Sequence, residues 1–236
     1  MAATEARRIV FLCSGGGGNL SFIHYAIEQG WIKGTIAAVL TDRQCQANAF
    51  AESAGLLNRC IGFNDHDQAE LREELERINP DVVVTTVHKI LCSAVVDAYR
   101  GKLVNLHYSL LPAFAGMIGD SPVKAAIEYG ARFTGATAHL VDETVDGGRP
   151  LVQAAIPLNA EETDFGLLMN LVFRCGCITL MGAIHSVLNG NAACNEAVQL
   201  QILGRQCLIS GADNVVGALG EERLWQQIAA RTSTRG

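Results

Sequence analysis

The alternation of short apolar runs with helix-like stretches is the feature that most constrains the fold of this chain. In the first half, strand-like and helix-like stretches follow one another at residues 9–13, 19–28, 35–40, 45–54, 60–63, 68–78 and 81–87. Parallel strands need long crossover connections, which are usually helices, so this order predicts an α/β fold. We expect a Rossmann-like architecture, an open, mostly parallel twisted sheet with helices on both faces.

The pattern changes after His107. It then predicts a helix, two longer strands, a long apolar helix, a hairpin and a polar helix, at residues 121–129, 133–141, 150–157, 163–188, 197–210 and 219–230. The long apolar helix is expected to pack on the sheet. The 236 residues are 49% hydrophobic, enough for one full core, so we predict a main domain over residues 1–210 and a tail with a short helix over residues 211–236.

Charge and the N-terminal sequence limit the partners. The net charge of −6 argues against nonspecific nucleic-acid binding, which needs clustered Lys and Arg. Residues 1–8 are polar, unlike the start of a signal peptide, and we expect no apolar stretch to approach the roughly 18 residues of a membrane-spanning helix. The sequence therefore predicts a soluble, cytoplasmic protein that binds neither nucleic acid nor a membrane.

The eight cysteines do not predict a metal site. Six of them stand singly, mostly among apolar residues, and are expected to be buried free thiols. Cys175 and Cys177 are separated by one residue in a predicted helix, so they lie on different faces. Because no paired cysteine motif is present, we expect no bound metal.

Residues 103–148 concentrate polar groups suited to catalysis. Asn105 and His107 lie two apart at the end of a predicted strand and therefore share a face, and Asp146 begins an Asp-Gly-Gly turn. An amide donor and an imidazole suit a carbonyl oxygen that becomes anionic during acyl transfer, and a carboxylate can take the nucleophile's proton. A plainer interpretation stays open, in which the Asn and His satisfy loop backbone and Asp-Gly-Gly is an ordinary turn.

A glycine-rich segment follows the first predicted strand and opens the first helix. Backbone N–H groups of such a loop can close on an anion. We therefore assign it as a candidate substrate-binding loop formed by Gly15, Gly16, Gly17, Gly18 and Asn19. The dinucleotide-binding motif Gly-x-Gly-x-x-Gly is not matched, because Ser21 follows Leu20 where the motif requires glycine. Asp42 also lies a little later than the acidic residue that accompanies this motif. Both observations argue against a nucleotide-dependent oxidoreductase. A tight turn without a ligand is the alternative.

The order of these motifs resembles the folate-dependent formyltransferases, which include the glycinamide ribonucleotide formyltransferases. The matching motifs are Asn105-x-His107 followed by Ser-Leu-Leu-Pro, Gly-x-Thr-x-His139, and Asp146-Gly-Gly. The segments at 112–114 and 135–139 are also similar to formyltetrahydrofolate hydrolases. The resemblance covers roughly residues 8–210 and implies that this domain is catalytic.

The resemblance implies formyl transfer from 10-formyltetrahydrofolate, a co-substrate, to a small-molecule amine, without a metal. It assigns catalysis to Asn105, His107 and Asp146, a supporting role to His139, and the acceptor phosphate to the glycine loop. It further implies that the folate is bound, largely by main chain, at two segments, His88, Lys89, Ile90 and Leu91, and Val141, Asp142, Glu143 and Thr144. Purine biosynthesis is the implied pathway, and a homodimer is one expected assembly.

Three departures from the glycinamide ribonucleotide branch leave the acceptor open, phosphorylated or not. Gly18 stands where a small hydroxyl residue is usual, His66 lies near the position of a phosphate-binding arginine, and Cys175 replaces a glutamate. The loop at residues 116–123 is about three residues longer. The alternatives are a formyltetrahydrofolate hydrolase, in which water is the acceptor, and a folate- or nucleotide-binding module without catalysis.

Overall fold

The computed structural model describes residues 6–63, 66–159, 164–190, 196–211 and 222–232. Its strands are β1 Arg8–Cys13, β2 Thr35–Thr41, β3 Asn58–Cys60, β4 Val82–Thr86, β5 Leu103–His107, β6 Phe133–Leu140, β7 Pro150–Pro157, β8 Ala197–Ile202 and β9 Arg205–Ser210. Its helices are α1 Gly18–Glu28, α2 Gln46–Ser53, α3 Ala69–Ile78, α4 Ser93–Ala98, α5 Ser121–Tyr129, α6 Phe165–Leu188 and α7 Glu222–Thr232. The chain divides into two compact units, Met1–Leu103 with Gln226–Gly236, and Val104–Trp225.

The first unit holds the parallel part of the sheet. Its strands lie in the order β3-β2-β1-β4, and β1 pairs in parallel with both β2 and β4. Ile9, Val10, Phe11 and Leu12 are all fully buried, as expected for a central strand covered on both faces. The predicted alternation of strands and helices is therefore confirmed here.

The second unit holds antiparallel strands in the order β5-β6-β7-β9-β8. Helix α6 packs on β6 and β7, and two of its glycines permit close contact. A Cβ at Gly176 would lie 2.8 Å from the Tyr108 ring, and one at Gly182 would lie 3.2 Å from Val152. The predicted α/β fold is confirmed, as a mixed sheet whose parallel pairing is in the first unit.

One expectation about apolar length was wrong. Helix α6 is long and apolar enough, by length and composition, to cross a membrane, but 72% of its most apolar window is buried inside the protein. It has the properties of a core helix, as the prediction of a long helix packed on the sheet requires. The predicted final helix is present as α7, while its first residues, 219–221, lie outside the described part of the chain. The domain limits at residues 210 and 211 stay a prediction.

Candidate active site

Strand β5 brings Asn105 and His107 to one face of the second unit. β5 is antiparallel to β6, where Asn105 is paired with His139 and His107 with Thr137. The side chains of Asn105 and His107 both contact the carboxylate of Asp146, which confirms that they share a face. The period-two spacing on a strand thus sets the relative placement of the amide and the imidazole.

The carboxylate of Asp146 is the centre of this site. Its Oδ2 accepts a hydrogen bond of 2.8 Å from the backbone N–H of Gly116 and lies 3.3 Å from His107 Nδ1. Its Oδ1 accepts from Asn105 Nδ2 at 3.4 Å. The Asp146 side chain is only 9% exposed, so the protein largely covers the carboxylate, although Gly116 itself is exposed.

Two features of the backbone hold this carboxylate in place. Asp146 adopts a left-handed conformation, with φ of 53°, and the following Gly147 N–H donates to the Thr144 carbonyl at 3.0 Å. A Cβ at Gly148 would collide with the Leu140 carbonyl oxygen, so only glycine fits this close approach. The Asp-Gly-Gly turn is therefore needed both for chain reversal and for the position of the acid.

His139 lies behind the amide of Asn105. Its Nδ1 is 2.8 Å from the Leu140 carbonyl and its Nε2 is 3.3 Å from Asn105 Nδ2. Burial lowers the pKa of His139, outweighing the opposing effects of the Leu140 carbonyl and Asp146. In the neutral ring Nδ1 donates to Leu140, so Nε2 accepts from Asn105, and the 3.6 Å approach of Nε2 to Asp146 is not an ion pair.

His107 has an oxygen acceptor at each ring nitrogen. Nδ1 faces Asp146 Oδ2 at 3.3 Å, and Nε2 faces the Phe114 carbonyl at 3.1 Å. Only a doubly protonated ring donates to both oxygens at once. The surroundings of His107 therefore suit an imidazolium whose charge is balanced by the neighbouring carboxylate.

A buried polar network, which the sequence motifs did not reveal, supports the segment after β5. Thr137 Oγ1 donates to the Ser109 carbonyl at 2.7 Å and accepts from Leu111 N at 3.1 Å. Gln153 Nε2 lies 3.0 Å from the same hydroxyl and 3.2 Å from the Leu111 carbonyl. The alternation on β6 and β7 indicates that these side chains share a face, but only the register shows that they meet.

In the first unit, the glycine loop lies between β1 and α1. Gly17 has φ of 70°, and a Cβ there would lie 3.0 Å from Ala47 Cα, so one side of the loop packs on α2. Asn19 lies in the first turn of α1. Nothing lies within 4 Å of a Cβ built at Gly15, so that part of the loop opens to space. The loop is therefore a tight turn, as the alternative without a ligand requires, but part of its backbone is also accessible to a ligand.

The predicted folate segment of the first unit is fixed by two side chains. The His88 N–H donates to Ser14 Oγ at 2.9 Å. Gln68, which the sequence did not single out, donates from Nε2 to the Ile90 carbonyl at 3.0 Å and accepts from Cys92 N at 2.9 Å. Hydrogen bonds therefore fix the backbone of this loop, while Ile90 is 76% exposed.

The predicted folate segment of the second unit is a turn closed by Asp142, whose Oδ1 accepts from Thr144 N at 2.8 Å.

Among the three departures, Cys175 is fully buried in α6 and does not reach solvent. Within the described ranges no group of three or more His, Cys, Asp or Glu side chains is placed to hold a metal ion, and the metal-free reaction stays a prediction. Of the six single cysteines, Cys13 and Cys207 are buried as expected. The expectation is wrong for Cys60, which is exposed, and for Cys45 and Cys92, which are half-buried, while Cys194 lies outside the described residues.

An amide, two imidazoles and a buried carboxylate on an α/β scaffold define a site suited to acyl transfer to a nucleophile. Comparison with known families agrees, since residues 7–172 match the model of the formyl transferase family. The chain belongs to this family of folate-dependent enzymes. It is 35% identical over 166 residues to phosphoribosylglycinamide formyltransferase from Escherichia coli, an alignment that covers 66% of this chain and 76% of that protein.

Solved structures show the same fold. Glycinamide ribonucleotide transformylase 1 from Symbiobacterium toebii is 28% identical, with a TM-score of 0.73 over 80% of this chain and 90% of the other. A formyltetrahydrofolate deformylase from Pseudomonas syringae is 21% identical, with a TM-score of 0.70 over 79% of this chain and 63% of the other. The likeness to the deformylase establishes the fold alone.

Proposed function

We propose that this protein transfers the formyl group of 10-formyltetrahydrofolate to a small-molecule amine, and that Asn105, His107 and Asp146 carry the reaction. The observation that carries the proposal is the convergence of the amide and the imidazole on one buried carboxylate, at 3.4 Å and 3.3 Å. Family membership supports the donor. The acceptor is proposed to be an amine other than glycinamide ribonucleotide.

In this mechanism the acceptor nitrogen attacks the formyl carbon, and the carbonyl oxygen becomes an oxyanion. His107 donates to that oxygen, and so does the Asn105 amide, whose hydrogen, now directed at Asp146 Oδ1 over 3.4 Å, turns to the oxyanion. His107 Nε2 now donates to the Phe114 carbonyl, and an oxyanion, being the stronger acceptor, takes that place. Removal of one such donor typically costs about 10²–10³ in rate.

Asp146 balances the imidazolium charge of His107 until it receives the proton that the amine loses, directly or through one water. Collapse of the tetrahedral intermediate breaks the bond to the folate nitrogen, which takes a proton from His107. The proton on Asp146 then passes to His107, whose Nδ1 lies 3.3 Å from the carboxylate, and both groups return to their starting charge. The products are the formylated amine and tetrahydrofolate, and no covalent enzyme intermediate is needed. His139 keeps the Asn105 amide facing the site by accepting one of its hydrogens at 3.3 Å.

We also propose that the two folate segments bind the co-substrate. The support is their fixed main chain. Gln68 holds residues 90 and 92, and the Asp142 side chain closes the turn at residue 144. Calorimetry with 5-formyltetrahydrofolate tests this, and no heat at high micromolar ligand contradicts it.

The acceptor site is expected to bind phosphate weakly. The glycine loop keeps its backbone donors, but without a hydroxyl at residue 18 and the usual arginine a phosphate loses about two charge-assisted hydrogen bonds, at roughly 1.5–3 kcal/mol each. That corresponds to about two to four orders of magnitude in affinity. Saturation by glycinamide ribonucleotide at low micromolar concentration, with rapid formyl transfer, would refute this part.

The experiment that tests the function is an assay of tetrahydrofolate release from 10-formyltetrahydrofolate, with and without amines. We expect release that depends on an amine and that falls at least about 10²-fold in His107→Ala. Release without any amine identifies a hydrolase. Binding of folate without release in either condition identifies a module that lacks catalysis.

A further inference from the structure

A shallow pocket of about 500 Å³ opens on the second unit, at the loop that precedes α5. Gly116, Met117 and Ile118 form one side of it, and Lys124, Ala125 and Glu128 of α5 form the other. The loop is the one that the resemblance implies to be about three residues longer than in the glycinamide ribonucleotide branch.

One residue, Gly116, links the pocket to the candidate active site. Gly116, one of its lining residues, donates its backbone N–H to Asp146 Oδ2 at 2.8 Å. Met117 follows Gly116 in the chain, so it lies one residue from the group that contacts the carboxylate. The residue that donates to the Asp146 carboxylate is therefore also a lining residue of the pocket.

Large apolar side chains are exposed both in the pocket lining, at Met117 and Ile118, and beside Asp146, at Val145, which is not a lining residue. Met117 is 40% exposed and Ile118 is 59% exposed, and Val145, which precedes Asp146, is 53% exposed. Met117 and Ile118 are consecutive, so they form one contiguous apolar surface that a ligand can cover. Covering them removes apolar area from water, which favours binding of an apolar group.

The charges around the pocket do not favour an anion. Lys124 Nζ lies 2.7 Å from Asp120 Oδ2 and 5.2 Å from the centre of the Phe165 ring, so its charge is balanced within the protein. Glu128 adds a carboxylate to the lining. A phosphate placed here would meet two carboxylates and one neutralised cation.

We propose that this pocket binds the apolar substituent of the formyl acceptor, and that the acceptor is a primary amine with an apolar side chain and no phosphate. The inference rests on the proposed formyl transfer and specifies its substrate class. Met117 and Ile118 are the specificity-determining residues. An acceptor of this class places its amine at Asp146 and its side chain against them.

The test compares three amines that share one reacting group, glycinamide, leucinamide and phenylalaninamide, as acceptors of formyl from 10-formyltetrahydrofolate. We expect kcat/KM for leucinamide and phenylalaninamide to exceed that for glycinamide by at least about tenfold, or 1.4 kcal/mol. In the double variant Met117→Ser/Ile118→Ser the ratio should fall to about one. The matched control is Leu208→Ser, which removes an equally exposed apolar side chain from β9 and should keep the wild-type ratio.

The possible outcomes distinguish a failure of the acceptor proposal from a failure of the proposed formyl transfer. Equal transfer to all three amines, or a preference that survives in the double variant, overturns the inference and leaves formyl transfer in place. A higher kcat/KM for glycinamide ribonucleotide than for leucinamide also overturns it. No amine-dependent transfer at all overturns both proposals. Thermal melts of each variant confirm that the ratios compare folded proteins.

Discussion

Replacing Asp146 by Asn tests the site most directly, because the change keeps the shape of the side chain and removes its charge. The carboxylate accepts from Gly116 N and Asn105 Nδ2 and faces His107 Nδ1. An amide has one acceptor oxygen, so it cannot serve donors on both of its sides. It also neither takes a proton from an amine nor balances an imidazolium.

Two magnitudes follow from this geometry. One donor loses its partner, and because Gly116 is exposed and Asn105 is half-buried the cost is at the lower end of the usual range, about 1 kcal/mol of folding free energy. The catalytic loss is larger, since a proton acceptor and the countercharge of His107 disappear together. We expect turnover to fall at least 10²-fold, equivalent to about 2.7 kcal/mol of transition-state stabilisation, while folate affinity changes by less than about threefold.

The assay measures tetrahydrofolate release under saturating substrates, with calorimetry on 5-formyltetrahydrofolate and urea unfolding of the same preparations. Asp97→Asn is the control, because that carboxylate is exposed and pairs only with the neighbouring Arg100 among the contacts of the described residues. It should leave turnover unchanged. If Asp146→Asn keeps turnover within about fivefold of wild type, the proposed roles of Asp146 are wrong.

Three further predictions concern stability. Glu222→Ala removes the carboxylate that receives two hydrogen bonds, of 2.6 Å and 2.8 Å, from the buried Arg174 guanidinium. It should lower the unfolding free energy by about 1.5–3 kcal/mol in urea, and a change below about 0.5 kcal/mol contradicts this. Gly148→Ala should cost at least about 1–3 kcal/mol because its Cβ meets the Leu140 carbonyl; an unchanged melting temperature would show that the turn adapts freely. The pKa of His139 is held below its usual 6.5, so the unfolded chain binds its proton first and stability falls as pH drops below 6.5. His139→Gln should flatten that part of the stability curve, and an equally steep curve in the variant assigns the effect to another group.

The sequence predicts those parts of the fold and site that depend on periodicity. The apolar runs at residues 9–13 and 81–87 alternate with amphipathic stretches, and the parallel order around β1 follows from them. The spacing of Asn105 and His107 likewise places both side chains on one face of β5. The long helix α6 and its burial were also expected, and only the expectation that no apolar stretch is long enough to span a membrane was wrong.

Contacts that depend on strand register and on long-range packing could not be predicted from periodicity. The bond between Thr137 and Ser109 joins residues 28 positions apart, and Gln68 reaches the Ile90 carbonyl across 22 positions. No local pattern specifies which polar side chain meets which loop carbonyl, because a shift of one residue in register exchanges the two faces of a strand. The supporting side chains of a site are therefore harder to predict than its reacting groups.

The least predictable feature of the site is its backbone, and it is also the most informative about function. Asp146 and Phe114 both have left-handed conformations, with φ of 53° and 60°, at positions that are not glycine. Each such residue costs of order 1–3 kcal/mol unless its surroundings impose the conformation. Here one presents the carboxylate to His107 Nδ1, and the other presents its carbonyl to His107 Nε2. The same imidazole is thus held from both sides by strained backbone. Strained backbone clusters at functional sites, so its presence on both sides of His107 supports the role that we propose for this residue.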